Sequence, residues 1–420
     1  MGPDMLMPLG ILMVIAASIL AAMGYRGREQ VVGIDLGTTF SVAAIKRGKE
    51  VTIIPDYVTG KLLVPSVVHY FSNGSVVVGD GAAAMRNAHA NQTIFNAKRF
   101  IGRNMSEVMA DAAAHPYQVV GNQSEDPGTS PDLLASGFAI AGGDVLGGRG
   151  ARWVSPVDVG AEVVAHIKRS IAHFVGYEMS RAVICVPAKF SWKETKATVQ
   201  AFEKAGFKVQ RVLEEPTAAA IAYNLHKVTA TKHVLVYDIG GGTLDTSLLY
   251  MNGRSVSVLG VAGDDHLGGS DFDLAVREIL EGKLPSAERL PEAPASAVGC
   301  DRTGLLVAAE RVKIALSSQE SAEALCLVEG GGARRIVVTR VEFERGCKPL
   351  FDRALAPVEA VLADQMMTPA NVDDVVLVGG ASRMPLLRQL LQDYIGHDKK
   401  LHTEIDPDVT VAFGAANILD

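Results

Sequence analysis

Cysteine is scarce in this chain: Cys185, Cys300, Cys326 and Cys347 are four residues in 420, and none falls in a C-x-x-C pair. That excludes a disulfide-built miniature scaffold and argues against a zinc site. The spacing leaves open whether any two are joined. Cys185 lies in the apolar run AVICVPA and reads as a small buried hydrophobe. An excess of positive charge is missing as well. Forty Lys and Arg against 47 Asp and Glu give a net charge of −7, so no nucleic-acid partner is expected. Local phosphate binding survives that exclusion, because backbone amides and a few cations suffice for it. There is no G-x-x-x-x-G-K-[ST] loop, no H-E-x-x-H and no G-x-S-x-G, which removes the commonest phosphate-loop, zinc-protease and serine-hydrolase readings. GGGTLD lacks the third glycine of G-x-G-x-x-G and is a poor dinucleotide fingerprint. Hydrophobic residues at 48% and charged residues at 21% exclude wholesale disorder, collagen and coiled coil. The length allows two to four domain-sized units with a full core.

Long apolar runs are also rare. The exception, Met5 to Met23, is 19 residues without a charge, followed by GYRGRE. It predicts a signal peptide or a single membrane anchor within residues 1–24. Ala22 and Gly24 are small residues at the spacing a signal peptidase prefers. For an uncleaved anchor, Arg26 and Arg28 favour a cytosolic C-terminal side. Four N-x-[ST] sequons, at Asn73, Asn91, Asn104 and Asn122, point the same way. The expected location is the secretory pathway, in the endoplasmic reticulum lumen or on the microsomal membrane. Membrane contact is expected only through residues 5–23, if they are retained.

From Val31 onward, strand-like and helix-like segments alternate, which predicts an α/β architecture. VVGIDLGTTFSVAAIKRG reads as strand, polar Gly/Thr turn, strand, and HVLVYDIGGGTLDTSLLYMNG repeats that plan. Asp35 aligns with Asp238 and Gly37 with Gly240, an offset of 203 residues. One repeat at half-chain distance predicts two similar lobes facing each other, residues 25–232 and 233–420. Helices are expected over Val159–Val175, from apolar residues at helical spacing, and over TKATVQAFEKAGF, with a glycine stop at Gly206. Gly121–Gly150, dense in Gly, Ser, Pro and Ala, and the Pro-rich Pro285–Pro294 read as surface excursions without chemistry.

Three polar turns carry the chemical signal: Asp35-Leu36-Gly37-Thr38-Thr39; Asp238-Ile239-Gly240-Gly241-Gly242-Thr243, with Asp245 beyond; and Gly379-Gly380-Ala381-Ser382-Arg383. Glycines let backbone N–H groups approach phosphate oxygens, and threonine hydroxyls add donors. Facing carboxylates can hold Mg²⁺ through its retained waters. A single such turn is usually just a hairpin. Three, two of them related by an internal repeat, favour a phosphate site.

These turns also carry a resemblance. IDLGTTFSV, NQTIFNAKRFIGR, EEPTAAAIAY, YDIGGGTLDTSLL, AGDDHLGGSDFD and VVLVGGASRMP, in this order, resemble the ATPase domain of the heat-shock-seventy chaperone family from Val31 to about Asn417. The resemblance implies an actin/hexokinase-like (ribonuclease H-like) pair of lobes around a nucleotide cleft. Within the family the chain is most similar to a truncated microsomal member with an ATPase core, and no peptide-binding domain is expected.

Site residues follow from the resemblance position by position. Asp35 and Asp238 resemble the carboxylates that organise the Mg²⁺ water shell, and Asp408 resembles an outer carboxylate of that site. Lys98 resembles the lysine that holds the attacking water and γ-phosphate, and Glu215 the carboxylate that helps orient or activate water. Gly37, Thr38, Thr39, Gly240, Gly241, Gly242 and Thr243 resemble the phosphate loops, with Gly268 and Gly269 in a further loop beside them. Gly379, Gly380 and Arg383 resemble the adenosine pocket, and Glu310, Lys313 and Ser317 the ribose and adenine contacts. The implied activity is slow Mg²⁺-dependent ATP hydrolysis linked to protein folding or quality control. ATP/ADP and Mg²⁺ are the implied ligands, K⁺ is a candidate third, and an exchange factor or co-chaperone is a candidate partner. The alternative is a nucleotide-binding scaffold with little turnover. Three departures bear on this. Ile314 stands where the family has an arginine stacking on adenine, and Lys189 and Thr195 replace residues that couple nucleotide state to a second domain.

Overall fold

The computed structural model describes residues 3–22, 31–122, 134–145, 148–228, 230–253, 255–284, 300–327 and 333–418. In the first half, Val32–Leu36, Phe40–Arg47 and Glu50–Ile54 form an antiparallel meander. Arg181–Val186 and Lys208–Glu214 then add in parallel on the other side of the first strand. The second half repeats the order. Lys232–Ile239, Leu244–Asn252 and Ser255–Asp264 meander, and Asp374–Val378 and Lys400–His402 follow in parallel. The first strand of each half is covered on both edges, which is why VGIDL and VLVYDI are nearly continuous apolar runs. Asp35 lies opposite Val42 and Cys185, and Asp238 opposite Asp245 and Val378. Each aspartate is the penultimate residue of its strand, so each emerges at the turn. The internal repeat of the sequence is thus a repeat of sheet topology, and the expected two-lobed α/β architecture is present.

Pro156–Val175 is helical. Ser155 caps it, accepting from the Asp158 N–H while Asp158 bonds back, and Val159, Val163, Val164, Ile167 and Ile171 are buried on one face. The predicted glycine stop after the next helix, Trp192–Lys204, is also there. Gly206 has φ 83° and donates to Glu203 O, while Phe207 donates to Phe202 O.

Two helices rich in small residues join the lobes, Glu215–Ala222 and Thr410–Asn417. One apolar cluster runs through them, from Val183, Cys185 and Leu213 of the first sheet to Val234, Val236, Val376 and Val378 of the second. The helices approach so closely that a Cβ at Gly414 would lie 1.8 Å from the Ala218 carbonyl oxygen. Thr410–Asn417 comes from the second half of the chain but packs Ala412 and Ala416 on Val42 and Ala44 of the first sheet. The division near residue 232 therefore separates the sheets but not this helix.

Three expectations need revision or fall elsewhere. Gly121–Gly150 is not simply irregular: Ser136–Val145 and Gly148–Val154 pair as antiparallel strands beside Val119–Gly121. Gly137 is glycine because a Cβ there would meet the Trp153 indole at 2.3 Å. Pro285–Pro294 lies outside the described residues. Pro3–Ala22 forms a helix, with Ile11, Leu12, Met13, Val14, Ile15 and Ile19 exposed. Among the described residues, no helix is long and apolar enough to cross a membrane. Two of the four cysteines do pair: Cys300–Cys326 is a disulfide, and Cys185 and Cys347 are free and buried.

Asp374 ties three strands of the second sheet together. It bonds His402 Nε2 at 2.9 Å and Lys232 Nζ at 2.5 Å. The His402 hydrogen bond, and then Lys232, hold its carboxyl at about 2 despite burial. A depressed carboxyl contributes stability that is complete above its ordinary value of 3.8 and lost as pH falls toward 2. Asp374→Asn is therefore expected to be less stable than the wild type at pH 7 and equally stable near pH 2. Urea titrations across that range check this, and a pH-independent difference refutes it.

Candidate functional site

The two aspartate turns face each other at the cleft floor. A Cβ on Gly241 of the second lobe would lie 2.3 Å from Thr39 Oγ1 of the first. Beneath them sits Lys98, in a tight turn over Ala97–Arg99. Asn96 enters that turn with φ 54°, a left-handed conformation that Asn tolerates better than most residues. Lys98 Nζ donates to Glu215 Oε1 at 2.6 Å, with both side chains nearly buried, at 8% and 14% exposed. Glu215 opens the helix Glu215–Ala222, followed by Pro216.

The charges act on one another. Burial, then the Glu215 charge, raises the Asp35 carboxyl to about 7, with Lys98 opposing. Asp238 is raised by burial and then by Glu215, Asp245 and Asp35. Lys98 would be lowered by burial, but Glu215 and Asp35 hold it above the ordinary lysine value. Asp35, Lys98, Glu215 and Asp238, far apart in the chain, thus form one electrostatic cluster. It carries more negative than positive groups, and Asp35 Oδ1 is buried with no hydrogen-bond partner. A cation would relieve both conditions. Among the described residues no three acidic, His or Cys side chains converge as direct metal ligands. The donor set therefore fits a hydrated ion better than a stripped one.

Above the carboxylates, Gly240 donates to Thr243 O and closes the second turn. The N–H groups of Gly241 and Gly242 have no acceptor among the described residues. Gly268 and Gly269 back this turn and do not extend its row of free donors. Gly269 N–H bonds Gly240 O at 2.9 Å, Ser270 N–H bonds Gly241 O at 2.7 Å, and Gly268 N–H bonds Asp271 at 2.7 Å. A Cβ on Gly268 would lie 2.5 Å from Gly242 N. Gly37 shapes the first turn, since a Cβ there would meet Phe40 O at 2.1 Å; Ser66 fastens the turn through Gly37 O and Thr39 O. Thr38 is half-buried in the same turn.

The third turn reaches the same floor. Gly379 has φ 78°, and a Cβ there would lie 2.9 Å from Asp238 Oδ1. Gly380 abuts the Asp408 carboxylate. Arg383 donates to Asp408 Oδ2 at 2.9 Å and also pairs with Asp406. On the helix Arg302–Leu316, Lys313 pairs with Asp273 at 2.7 Å and donates to Gly269 O at 2.8 Å, so it touches the backing loop directly. Glu310 and Ile314 are exposed on the same helix, Ile314 at 61%. Ser317 is turned back to its own helix, toward Lys313 O. Glu310 and Ser317 thus make no contact with the carboxylate cluster.

Several participants escaped the sequence reading. Arg99, next to Lys98, crosses to the second lobe and donates to Gly242 O at 2.8 Å and Asp265 O at 3.0 Å. Asp273 neutralises Lys313. A crevice lined by Lys189, Glu215, Asp238, Asp245 and Val261, among others, opens beside the cluster. Both lie inside family-like motifs, Arg99 in NQTIFNAKRFIGR and Asp273 at the end of AGDDHLGGSDFD, which marked the segments but not these side chains.

A two-lobed fold with paired aspartate turns, a Lys–Glu pair beneath and a third glycine turn matches the family expectation, and comparison with known proteins decides the matter. The family model for the Hsp70 protein covers residues 31–419. The chain belongs to the Hsp70 family. It is 39% identical over 392 residues to the heat shock 70 kDa protein BIP3 of Oryza sativa, a match covering 92% of this chain and 56% of that protein. It is 34% identical to a chaperone protein dnaK of Cyanidioschyzon merolae, over 92% of this chain and 61% of the relative. It is 37% identical to a chaperone protein HscA homolog of Methylobacillus flagellatus, over 92% and 57%. The chain thus spans a little more than half the length of these Hsp70 relatives.

Proposed function

We propose that this chain binds ATP and ADP between its lobes and hydrolyses ATP slowly, as a chaperone-type ATPase core of the secretory pathway acting in protein folding or quality control. The observation that carries this reading is the convergence of Asp35, Lys98, Glu215 and Asp238 beneath the free amides of Gly241 and Gly242. Hydrolysis of a γ-phosphate needs positioning and charge neutralisation more than covalent chemistry. The free amides would hold γ-phosphate oxygens. Lys98 would hold the phosphate and the attacking water, and Glu215, bonded to Lys98, would orient that water and accept its proton. Asp35 and Asp238 would hold hydrated Mg²⁺ through its waters, with Asp408 behind them. When bound, Mg²⁺ supplies neutralisation of the charge that develops on the phosphate oxygens. K⁺ is a candidate second cation. Lys313 and Arg383 would bound the nucleoside end, with Glu310 and Ser317 at its lip. Co-chaperones and exchange factors are the partner class that the family suggests.

Three independent features support secretory entry, with residues 1–24 acting as a signal segment or anchor. The helix Pro3–Ala22 leaves its described apolar side chains exposed. Cys300–Cys326 is a structural disulfide, a bond that persists in oxidising compartments. The Asn73 sequon lies on an exposed turn.

The exposed Ile314 favours weaker adenine binding and keeps the scaffold reading alive. Phosphate release from Mg-ATP by the full chain separates the two. Slow, sustained release is expected, and bound ATP recovered intact after prolonged incubation defeats the hydrolytic reading. Thiol trapping in intact cells is expected to find Cys300 and Cys326 protected from alkylation. Both cysteines reacting would defeat the secretory reading.

A further inference from the structure

We propose that Lys189 latches the two lobes together and controls how readily the cleft opens. The residue sits just past the first-lobe strand Arg181–Val186. Its ammonium lies 2.9 Å from Asp245 Oδ1 and also pairs with Asp265, both in the second lobe. Asp245 stands directly opposite Asp238 in the second-lobe hairpin, so the latch ends one cross-strand step from the carboxylate cluster. Without Lys189, Asp245 would lose its ion-pair partner, and Asp265 would keep only the more distant charges of Arg99 and His266. Arg99 grips the neighbouring backbone at Gly242 and Asp265. Two first-lobe cations therefore hold one second-lobe segment, and Lys189 closes the rim of the crevice beside Glu215 and Asp238.

Opening the cleft must break the Lys189 pairs. These are 36% exposed at Lys189 and 29% at Asp245, so ionic strength weakens them. Lys189 makes no contact with Lys98, Glu215 or Asp35, and it acts as a positioning residue through lobe closure. The kinetic consequence rests on the nucleotide reading; the interlobe contact does not. With nucleotide bound, Lys189→Met is expected to release ADP about three- to tenfold faster, with a flatter salt dependence. Lys189→Arg is expected to retain the wild-type rate of release.

The deciding measurement needs no nucleotide. Spin labels are placed at Glu203→Cys in the first lobe and Asp364→Cys in the second, both exposed positions, in the full chain. The native free thiols Cys185 and Cys347 are buried. Lys189→Met should broaden the interlobe distance distribution and shift it outward. Raising the salt to about 1 M should do the same to the wild type, where screening acts over only ~3 Å. Lys189→Arg should restore the narrow distribution. A Lys189→Met distribution that matches the wild type at both ionic strengths overturns the latch. Distances that respond to Lys189 in a protein that never hydrolyses ATP would uphold the latch and refute the ATPase reading instead.

Discussion

Replacing Lys98 with Ala is expected to lower the single-turnover rate of ATP hydrolysis at least a hundredfold, about 3 kcal/mol of transition-state stabilisation. The ammonium is the one cation hydrogen-bonded within the carboxylate cluster, and it lies 2.6 Å from Glu215 Oε1. Its removal strips a positive charge from the developing phosphate charge. It also leaves Glu215 buried without its partner and pushes Asp35 further above about 7, because Lys98 is the group opposing that rise. Breaking a buried pair by removing one member is destabilising, by about 3–5 kcal/mol in typical cases. Loss of activity could therefore be mistaken for loss of fold. Melting temperature and nucleotide-free far-UV signal of Lys98→Ala distinguish them: the variant should stay folded at the assay temperature while turnover is lost. Lys98→Arg should restore little, since a planar fork does not occupy the place of a point charge. A Lys98→Ala rate within fivefold of the wild type, in folded protein, removes Lys98 from the mechanism.

The second large effect is structural. Gly414→Val is expected to abolish stable folding. Even a methyl group there would sit 1.8 Å from the Ala218 carbonyl oxygen, and 2.6 Å from the carbonyl carbon. Backbone on both sides leaves nothing that can rotate away. Overpacking ordinarily costs about 1–3 kcal/mol; here relief requires separating the two helices that join the lobes. Gly282→Ala is the matched control, since no atom lies within 4 Å of its Cβ position. It sits inside the helix Gly269–Lys283, where alanine should stabilise by about 0.5–1 kcal/mol. Soluble yield and thermal melting compare the two. A Gly414→Val protein that melts within a few degrees of the wild type would contradict the helix crossing.

Much of this fold was legible in the sequence. The repeat that aligns Asp35 with Asp238 became two sheets of the same strand order, because an apolar run followed by Asp and glycine describes a covered strand ending at a turn. The capped helix Pro156–Val175 and the glycine stop at Gly206 were written in local residues. The strands Ser136–Val145 and Gly148–Val154 were not. Gly, Ala and Ser there mimic a loop, and the glycine at 137 answers to a tryptophan sixteen positions away. Pairing of Cys300 with Cys326 was equally closed to inspection, since four cysteines allow several pairings and spacing alone does not choose. At the site, the aspartates stood out in the repeated Gly-rich turns, whereas Lys98 and Glu215 came from the family resemblance. A lone lysine in a sequence is ordinarily a surface charge. The links through Arg99 and Lys189 depend on groups that meet only across the two lobes, and Asp273 meets Lys313 from a separate helix within the second lobe.

The placement of Thr410–Asn417 on the first sheet has a consequence for synthesis. Val42 and Ala44 leave the ribosome some 370 residues before Ala412 and Ala416, which cover them. At roughly 5–20 residues per second, that surface stays bare for about 20 seconds or more. The first lobe cannot complete itself while the chain is still growing. That sheet face gains its cover only when the helix Thr410–Asn417 arrives.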